Sequence, residues 1–188
     1  MIKNHIFTLV ISLFTLIYTN TSMALEEPSY EIIQSNADYE IRQYGDRLAV
    51  EVEFTNESSG FRYLFNYISG ENTTSEKVSM TVPVTQFSKD NKMVMQFYLP
   101  SKFSIENAPI PTNKRVNLVT IDGGYYAVLK YSGRVSDKNY LKHLSKLKGY
   151  LEKDKIEMID DGTKAIFDGP FTLPILRRNE AMIKIKWN

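Results

Sequence analysis

The sequence contains no cysteine at any of its 188 positions. A disulfide framework and a thiolate metal site are therefore both excluded. Histidine is nearly as scarce, because the chain has only His5 and His143. One histidine in the body of the chain, without cysteine, does not form a typical zinc site.

Catalytic motifs are also missing. A Ser–His–acid triad would need His143 as its base. His143 lies on the flank of a lysine-rich helical pattern, about 80° from the centre of the apolar stripe at about 100° per residue. We interpret it as a surface histidine. The sequence has no glycine-rich phosphate loop and no calcium loop either, so we predict a non-enzymatic protein.

An excess of charge of one sign is absent. The 23 basic residues face 22 acidic ones. Lys3 is one of the 23, so its removal with the N-terminal segment would leave 22 of each. A chain without net charge has no long-range electrostatic attraction to nucleic acid or to an acidic membrane, so we expect neither as a partner.

Long hydrophobic runs are absent except near the N-terminus. Residues 1–24 combine a basic start, an apolar run from Ile6 to Tyr18, and the small residues Ser22 and Ala24. This pattern predicts a signal peptide cleaved after Ala24, since the run is shorter than the ~20 residues of a membrane span. An uncleaved anchor is the alternative. Export without disulfides predicts a periplasmic or secreted mature domain, residues 25–188, with no stable membrane insertion.

The mature chain shows one pattern twice. Each half is predicted as strand, helix, strand, strand, which gives an α+β protein with one antiparallel sheet and both helices on one face. The first half comprises Tyr39–Phe54, Ser59–Ile68, Lys77–Ser88 and Lys92–Leu99, and the second Val116–Ser132, Ser136–Leu151, Ile156–Phe167 and Ala181–Trp187.

The opening strand carries an unexpected glutamine. Tyr39, Ile41 and Gln43 point to one face of a regular strand, and Glu40 and Arg42 to the other. The glutamine on the apolar face is either a structural polar group, part of a ligand site, or a sign that this face is half buried.

Aromatic and apolar residues are abundant. The chain has 12 tyrosines and 10 phenylalanines, which serve core packing and are also suited to line a cleft for a flat apolar ligand. The proline-containing stretch FDGPFTLPILRRNE, residues 167–180, carries apolar side chains in an irregular segment. Such a segment either plugs the core or walls a ligand cleft.

Five sequence stretches occur in the order seen in a known family: YEIRQYG, FRYLFNYISGEN, MTVPV, FYLPSKF with APIPTNKRV, and PFTLPILRRNEAMIKI. On these motifs the sequence resembles the SOUL haem-binding protein family from about Tyr30 to Trp187. The resemblance implies a distorted antiparallel β-barrel or saddle, flanked by two helices. It also implies non-covalent binding of haem or a related porphyrin in an apolar cleft.

The resemblance places this cleft beside the first helix and the irregular segment before the last strand. The implied contact residues are Phe61, Leu64, Phe65, Asn66, Thr172 and Leu173. Arg177 and Arg178 match arginines of the family, and guanidinium groups suit haem propionates. The alternative is that both arginines pin the segment through Asp168 or Glu180.

The sequence departs from some family members at Gln43, where those members carry a histidine proposed to bind iron. Glutamine is a weak axial ligand, so the resemblance leaves the iron ligand unknown. We expect an exported carrier, buffer or scavenger of a small hydrophobic ligand. A binding module that has lost haem is the main alternative, and an enzyme using Glu40 or Glu180 as base is a third.

Overall fold

The computed structural model describes residues 25–187. The predicted signal peptide, residues 1–24, lies outside the described residues, as does Asn188. The strands of the described part are β1 (Tyr30–Ser35), β2 (Glu40–Tyr44), β3 (Arg47–Phe54), β4 (Val84–Lys89), β5 (Lys92–Tyr98), β6 (Val116–Ile121), β7 (Gly124–Tyr131), β8 (Thr163–Ile166) and β9 (Asn179–Ile185). The helices are α1 (Glu57–Ile68) and α2 (Asp137–Lys153), and Pro174–Leu176 forms a 3₁₀ turn.

All strands join one antiparallel sheet in the order β1-β2-β7-β9-β8-β4-β5-β3-β6. The sheet does not close into a barrel and has the shape of a saddle. Helix α1 packs on β3, β5 and β6, and α2 packs on β7 and β9. The predicted α+β class is therefore confirmed. We call the helix-covered face the outer face and the opposite face the inner face.

The two long strands predicted for Tyr39–Phe54 and Val116–Ser132 are each broken into two. The breaks lie at Gly45–Asp46 and at Asp122–Gly123. They face each other, because the Gly123 N–H donates to Asp46 Oδ1 at 2.8 Å. A Cβ added to Gly123 would lie only 2.6 Å from the Tyr44 carbonyl oxygen. Only glycine allows the two chains to approach this closely.

Two other predicted strands are shorter than expected. The strand predicted at Lys77–Ser88 begins only at Val84, directly after Pro83, which has no N–H to donate to a neighbouring strand. The strand predicted at Ile156–Phe167 is limited to β8, since Gly162 turns the chain with a φ of 112°. Strand β1 was not predicted.

Both helices begin with a polar cap and pack on the sheet through one apolar side. Asn56 accepts the Ser59 N–H at 3.2 Å and Ser136 accepts the Asn139 N–H at 3.3 Å, as N-caps do. The stripes bury Leu64, Tyr67 and Ile68 of α1 and Leu144, Leu147 and Leu151 of α2. Among residues 25–187, no helix is long and apolar enough to cross a membrane.

The inner face buries a network of charged side chains. Arg42 and Glu180 are both fully buried, and the guanidinium of Arg42 donates to both carboxylate oxygens of Glu180 at 2.9 and 3.1 Å. Arg178 donates to Glu180 at 2.9 Å and to both oxygens of Glu27. Burial disfavours the charged arginine, but the hydrogen bond and charge of Glu180 outweigh burial and raise the pKa of Arg42.

Candidate functional site

Two phenylalanine rings project from α1 instead of packing fully into the core. Phe61 is 41% exposed and Phe65 is 50% exposed, and their rings stack with centroids 6.0 Å apart. The Phe61 ring also meets the Phe97 ring edge-on at 5.2 Å. Phe97 is buried in β5, so the three rings lead from the sheet to the helix surface.

Next to these rings, the outer face is formed by β4 and β8. These two strands lie between the strands covered by α1 and those covered by α2. Phe97 pairs with Val84, and Val84 pairs with Ile166, so the three side chains share the outer face across β5, β4 and β8. Val84 and Ile166 are half-buried. We call the surface formed by Phe61, Phe65, Val84, Phe97 and Ile166 the apolar groove.

The segment that joins β8 to β9, residues 167–178, begins directly after Ile166, a residue of the apolar groove. Phe167 is half-buried, but the apolar side chains further along the segment are exposed: Phe171 fully, and Leu173, Ile175 and Leu176 largely. The core-plug alternative is therefore wrong, because a plug would bury these side chains. The exposed segment is instead available to wall a ligand site.

The two arginines at the end of this segment are already engaged. Arg177 donates to the carbonyl oxygens of Thr172 and Pro170 at 2.8 and 2.6 Å. The guanidinium of Arg178 holds Glu27 and Glu180, and its backbone N–H donates to Asp168 at 2.6 Å. The ion pair of Arg178 with Glu180 matches the predicted alternative, whereas Arg177 pins the segment through the carbonyl oxygens of Thr172 and Pro170 instead of Asp168 or Glu180.

The other predicted contact residues differ in how exposed their side chains are. Leu64 is fully buried beneath α1, so it supports the helix and offers no free surface. Asn66 is exposed on the same helix, while Thr172 is half-buried and Leu173 exposed in the segment. Val84 and Ile166, which we call the groove floor, were not predicted as site residues. Val84 ends the MTVPV motif and begins β4, so the motif gave a weak signal for it.

Gln43 lies away from the groove on the outer face. Tyr39 and Ile41 are buried in the core under α2, whereas Gln43 is exposed. It pairs with Tyr125 of β7, and β9 then separates β7 from β8. The face is therefore covered by α2 only as far as Ile41, which explains how a glutamine follows two apolar residues.

Histidine and the two candidate bases are held in structural contacts. His143 stacks on Tyr131 with centroids 4.2 Å apart, and its Nδ1 lies 2.8 Å from the Asn139 carbonyl oxygen. Burial acts to raise the pKa of Glu40, but hydrogen bonds from Lys130 and Arg42 hold it below its ordinary value. Glu180 is held by two arginines.

Within the described residues, no three His, Asp or Glu side chains cluster as metal ligands. The exposed rings of Phe61 and Phe65 are suited to contact the flat apolar face of a porphyrin. His143, on α2, is the single histidine of residues 25–187, and its ring stacks on Tyr131.

A family model described as SOUL heme-binding protein matches residues 25–184. The chain belongs to this family. Membership of the SOUL family confirms the resemblance seen in the sequence motifs and suggests binding of haem or another tetrapyrrole.

Solved structures share the fold of this SOUL protein at low sequence identity. A hydrolase encoded by lin2189 from Listeria innocua has a TM-score of 0.55 and 12% identity, covering 79% of this chain and 92% of its own. The EcmrR C-terminal domain has a TM-score of 0.58 and 10% identity, covering 84% and 98%. A comparison with curated proteins finds no match in sequence. At such identities the likeness concerns the fold alone.

Proposed function

We propose that this SOUL protein is a non-enzymatic binder of haem or a related tetrapyrrole, and that the apolar groove is its binding surface. The observation that carries the proposal is the exposed, stacked pair Phe61 and Phe65 beside an apolar floor. Two large exposed rings lose apolar area from water when a ligand covers them, and a flat aromatic ligand can stack on their faces.

Each part of the site has a distinct task in this proposal. The rings of Phe61 and Phe65 contact the porphyrin face, and the exposed side chains of residues 171–176 shield it from water. Haem, when bound, supplies an iron centre, for which the groove residues named here offer no histidine. The chain's role is then to hold and shield the ligand, as a carrier, buffer or scavenger does.

The double substitution Phe61→Ala with Phe65→Ala should weaken haemin binding by about thirtyfold. Each ring is already half-buried, so the pair contributes about 2 kcal/mol of further apolar burial, and about 1.4 kcal/mol is a factor of ten. The measurement is a haemin titration of wild type and variant followed by the Soret band.

Two control variants belong to the same titration. Leu141→Ala removes another helix-surface side chain, 56% exposed on α2, and should leave haemin affinity unchanged. Gln43→His should also leave it unchanged, because β7 and β9 separate this position from β8. A tighter complex with a shifted Soret band in Gln43→His would place haem at β2 and contradict the groove.

A module of the same fold that has lost haem is the second candidate. Its support is that Arg177 and Arg178, the arginines expected to pair with haem propionates, already hold carbonyl oxygens and carboxylates of this chain. Haemin binding by wild type no stronger than that of an unrelated control protein would favour this candidate.

We further propose that the protein acts outside the cytoplasm, in the periplasm or after secretion. The support is the signal-peptide pattern of residues 1–24. We expect the purified exported protein to begin at Leu25. N-terminal sequencing checks this, and a mature protein that retains Met1 would contradict cleavage.

A further inference from the structure

The inner face carries one arginine whose charge has no carboxylate partner. Arg47 is the first residue of β3, directly after the break at Gly45–Asp46, and it pairs with Ile121 of β6. In the described part of the chain, no carboxylate lies within 4.0 Å of its nitrogens. The neighbouring inner-face arginines, Arg42 and Arg178, each hold two carboxylates.

Three tyrosines surround the guanidinium of Arg47. Its central carbon lies 4.5 Å from the ring centroid of Tyr44, 5.0 Å from that of Tyr126 and 5.4 Å from that of Tyr98. Its Nη2 donates to the Tyr126 hydroxyl at 3.0 Å. Ring faces stabilise a cation but do not accept a hydrogen bond in the guanidinium plane.

The tyrosines do not neutralise this charge. Burial raises the pKa of Tyr44 to about 12, and burial also raises the pKa of Tyr98. Both phenols therefore stay protonated near neutral pH. The cluster holds a net positive charge on the inner face.

The Nε of Arg47 is buried and has no hydrogen-bond partner, and no other side-chain nitrogen or oxygen of residues 25–187 meets that description. A buried donor without an acceptor is costly, and the cost is larger for a charged group. A guanidinium that has no carboxylate partner and lines a cavity points to an anion brought by a ligand.

Arg47 and Tyr98 line three cavities in common, of about 480, 310 and 10 Å³. The cavity of about 310 Å³ has a mainly apolar wall that includes Phe87, Ile121 and Met182. Its volume is at the lower end of the range for small-molecule sites, about 300–1,000 Å³. Lys89 and Asp160 also line it, so their charges oppose each other and leave Arg47 dominant.

We propose that this inner cavity binds a small organic carboxylate with an apolar body. The carboxylate pairs with the guanidinium of Arg47, and the apolar body contacts Phe87, Ile121 and Met182. An anion here neutralises the positive charge of the cluster. The site lies on the opposite face of the sheet from the apolar groove and does not depend on haem.

The test compares two ligands of equal shape, 2-naphthoate and its neutral amide 2-naphthamide, by isothermal titration calorimetry. Wild type should bind the acid at least about tenfold more tightly than the amide, since a charge-assisted hydrogen bond to a buried group has that strength. Arg47→Gln should remove this preference. If wild type binds the two ligands equally tightly, or binds neither, the proposal is overturned. This outcome needs the wild-type protein alone.

Two further variants locate the binding. Thr163 also lines this cavity, and Thr163→Phe should fill it and abolish binding of both ligands. The groove variant Phe61→Ala with Phe65→Ala should bind 2-naphthoate as wild type does. Loss of 2-naphthoate binding in the groove variant, with binding retained in Thr163→Phe, would place the ligand on the outer face and contradict the inner site.

Discussion

Glu180→Ala should lower the free energy of unfolding by about 3–5 kcal/mol, because removing one partner of a buried ion pair leaves the other charge uncompensated. Glu180 is the carboxylate that joins Arg42 and Arg178, so its loss affects two guanidinium groups. Arg42 is fully buried and keeps only Glu40 as an acidic partner. Urea denaturation of wild type and variant measures the difference.

A double variant and a surface control sharpen this expectation. Arg42→Met with Glu180→Leu removes both buried charges and should be less destabilised than Glu180→Ala, since apolar side chains of similar size tolerate the same environment. Glu53→Ala, which removes an exposed partner of Lys92, should leave the denaturation midpoint nearly unchanged. A Glu180→Ala variant as stable as Glu53→Ala would show that the network does not hold the inner face together.

Gly123→Ala should destabilise the fold by about 3 kcal/mol, the upper end of typical overpacking costs. Its Cβ would lie 2.6 Å from the Tyr44 carbonyl oxygen and 2.9 Å from the Gly45 carbonyl carbon. Both are backbone atoms, which cannot move aside as the end of a flexible side chain can. Thermal and urea unfolding of the variant provide the measurement.

Gly45→Ala is the matched control for this prediction. Gly45 lies in the opposite break, directly across from Gly123, yet an added Cβ there meets nothing within 4 Å. The variant should therefore be about as stable as wild type. Equal destabilisation by both substitutions would show that chain flexibility at the breaks, and not the close approach, requires glycine.

The elements that could be predicted from sequence depend on local signals. Helix α1 is indicated by the helical spacing of its apolar residues Phe61, Leu64, Phe65 and Ile68. Helix α2 is indicated by Ser136, a good N-cap, and by a leucine stripe. The repeat of strand, helix, strand, strand gave the class of the fold and the common face of the helices. These features arise within one stretch of chain, so a single sequence carries them.

The elements that were missed depend on contacts between distant stretches. The strand breaks arise where the backbone of Gly123 contacts that of Tyr44. The sequence around either residue does not indicate this contact. Strand β1 was missed because residues 31–35 are all exposed, so burial imposes no alternation on its sequence. The pairing of Arg42 with Glu180 spans 138 positions, and either residue alone looks like an ordinary surface charge.

The candidate site was predicted only in part for the same reason. The family motifs located α1 and the segment before β9, and the structure places Phe61 and Phe65 at the helix surface. Val84 and Ile166 became groove residues only through the pairing of β4 with β8. Arg47 is distinguished by what surrounds it after folding, since its three tyrosines come from β2, β5 and β7.

The segment between β8 and β9 is held by main-chain atoms. Arg177 binds the carbonyl oxygens of Pro170 and Thr172, and the Gly133 N–H binds that of Pro174. The side chains of Phe171, Leu173, Ile175 and Leu176 take no part in these anchors. Substitutions at these four positions can therefore change the surface of the segment and leave the hydrogen bonds that fix its backbone intact.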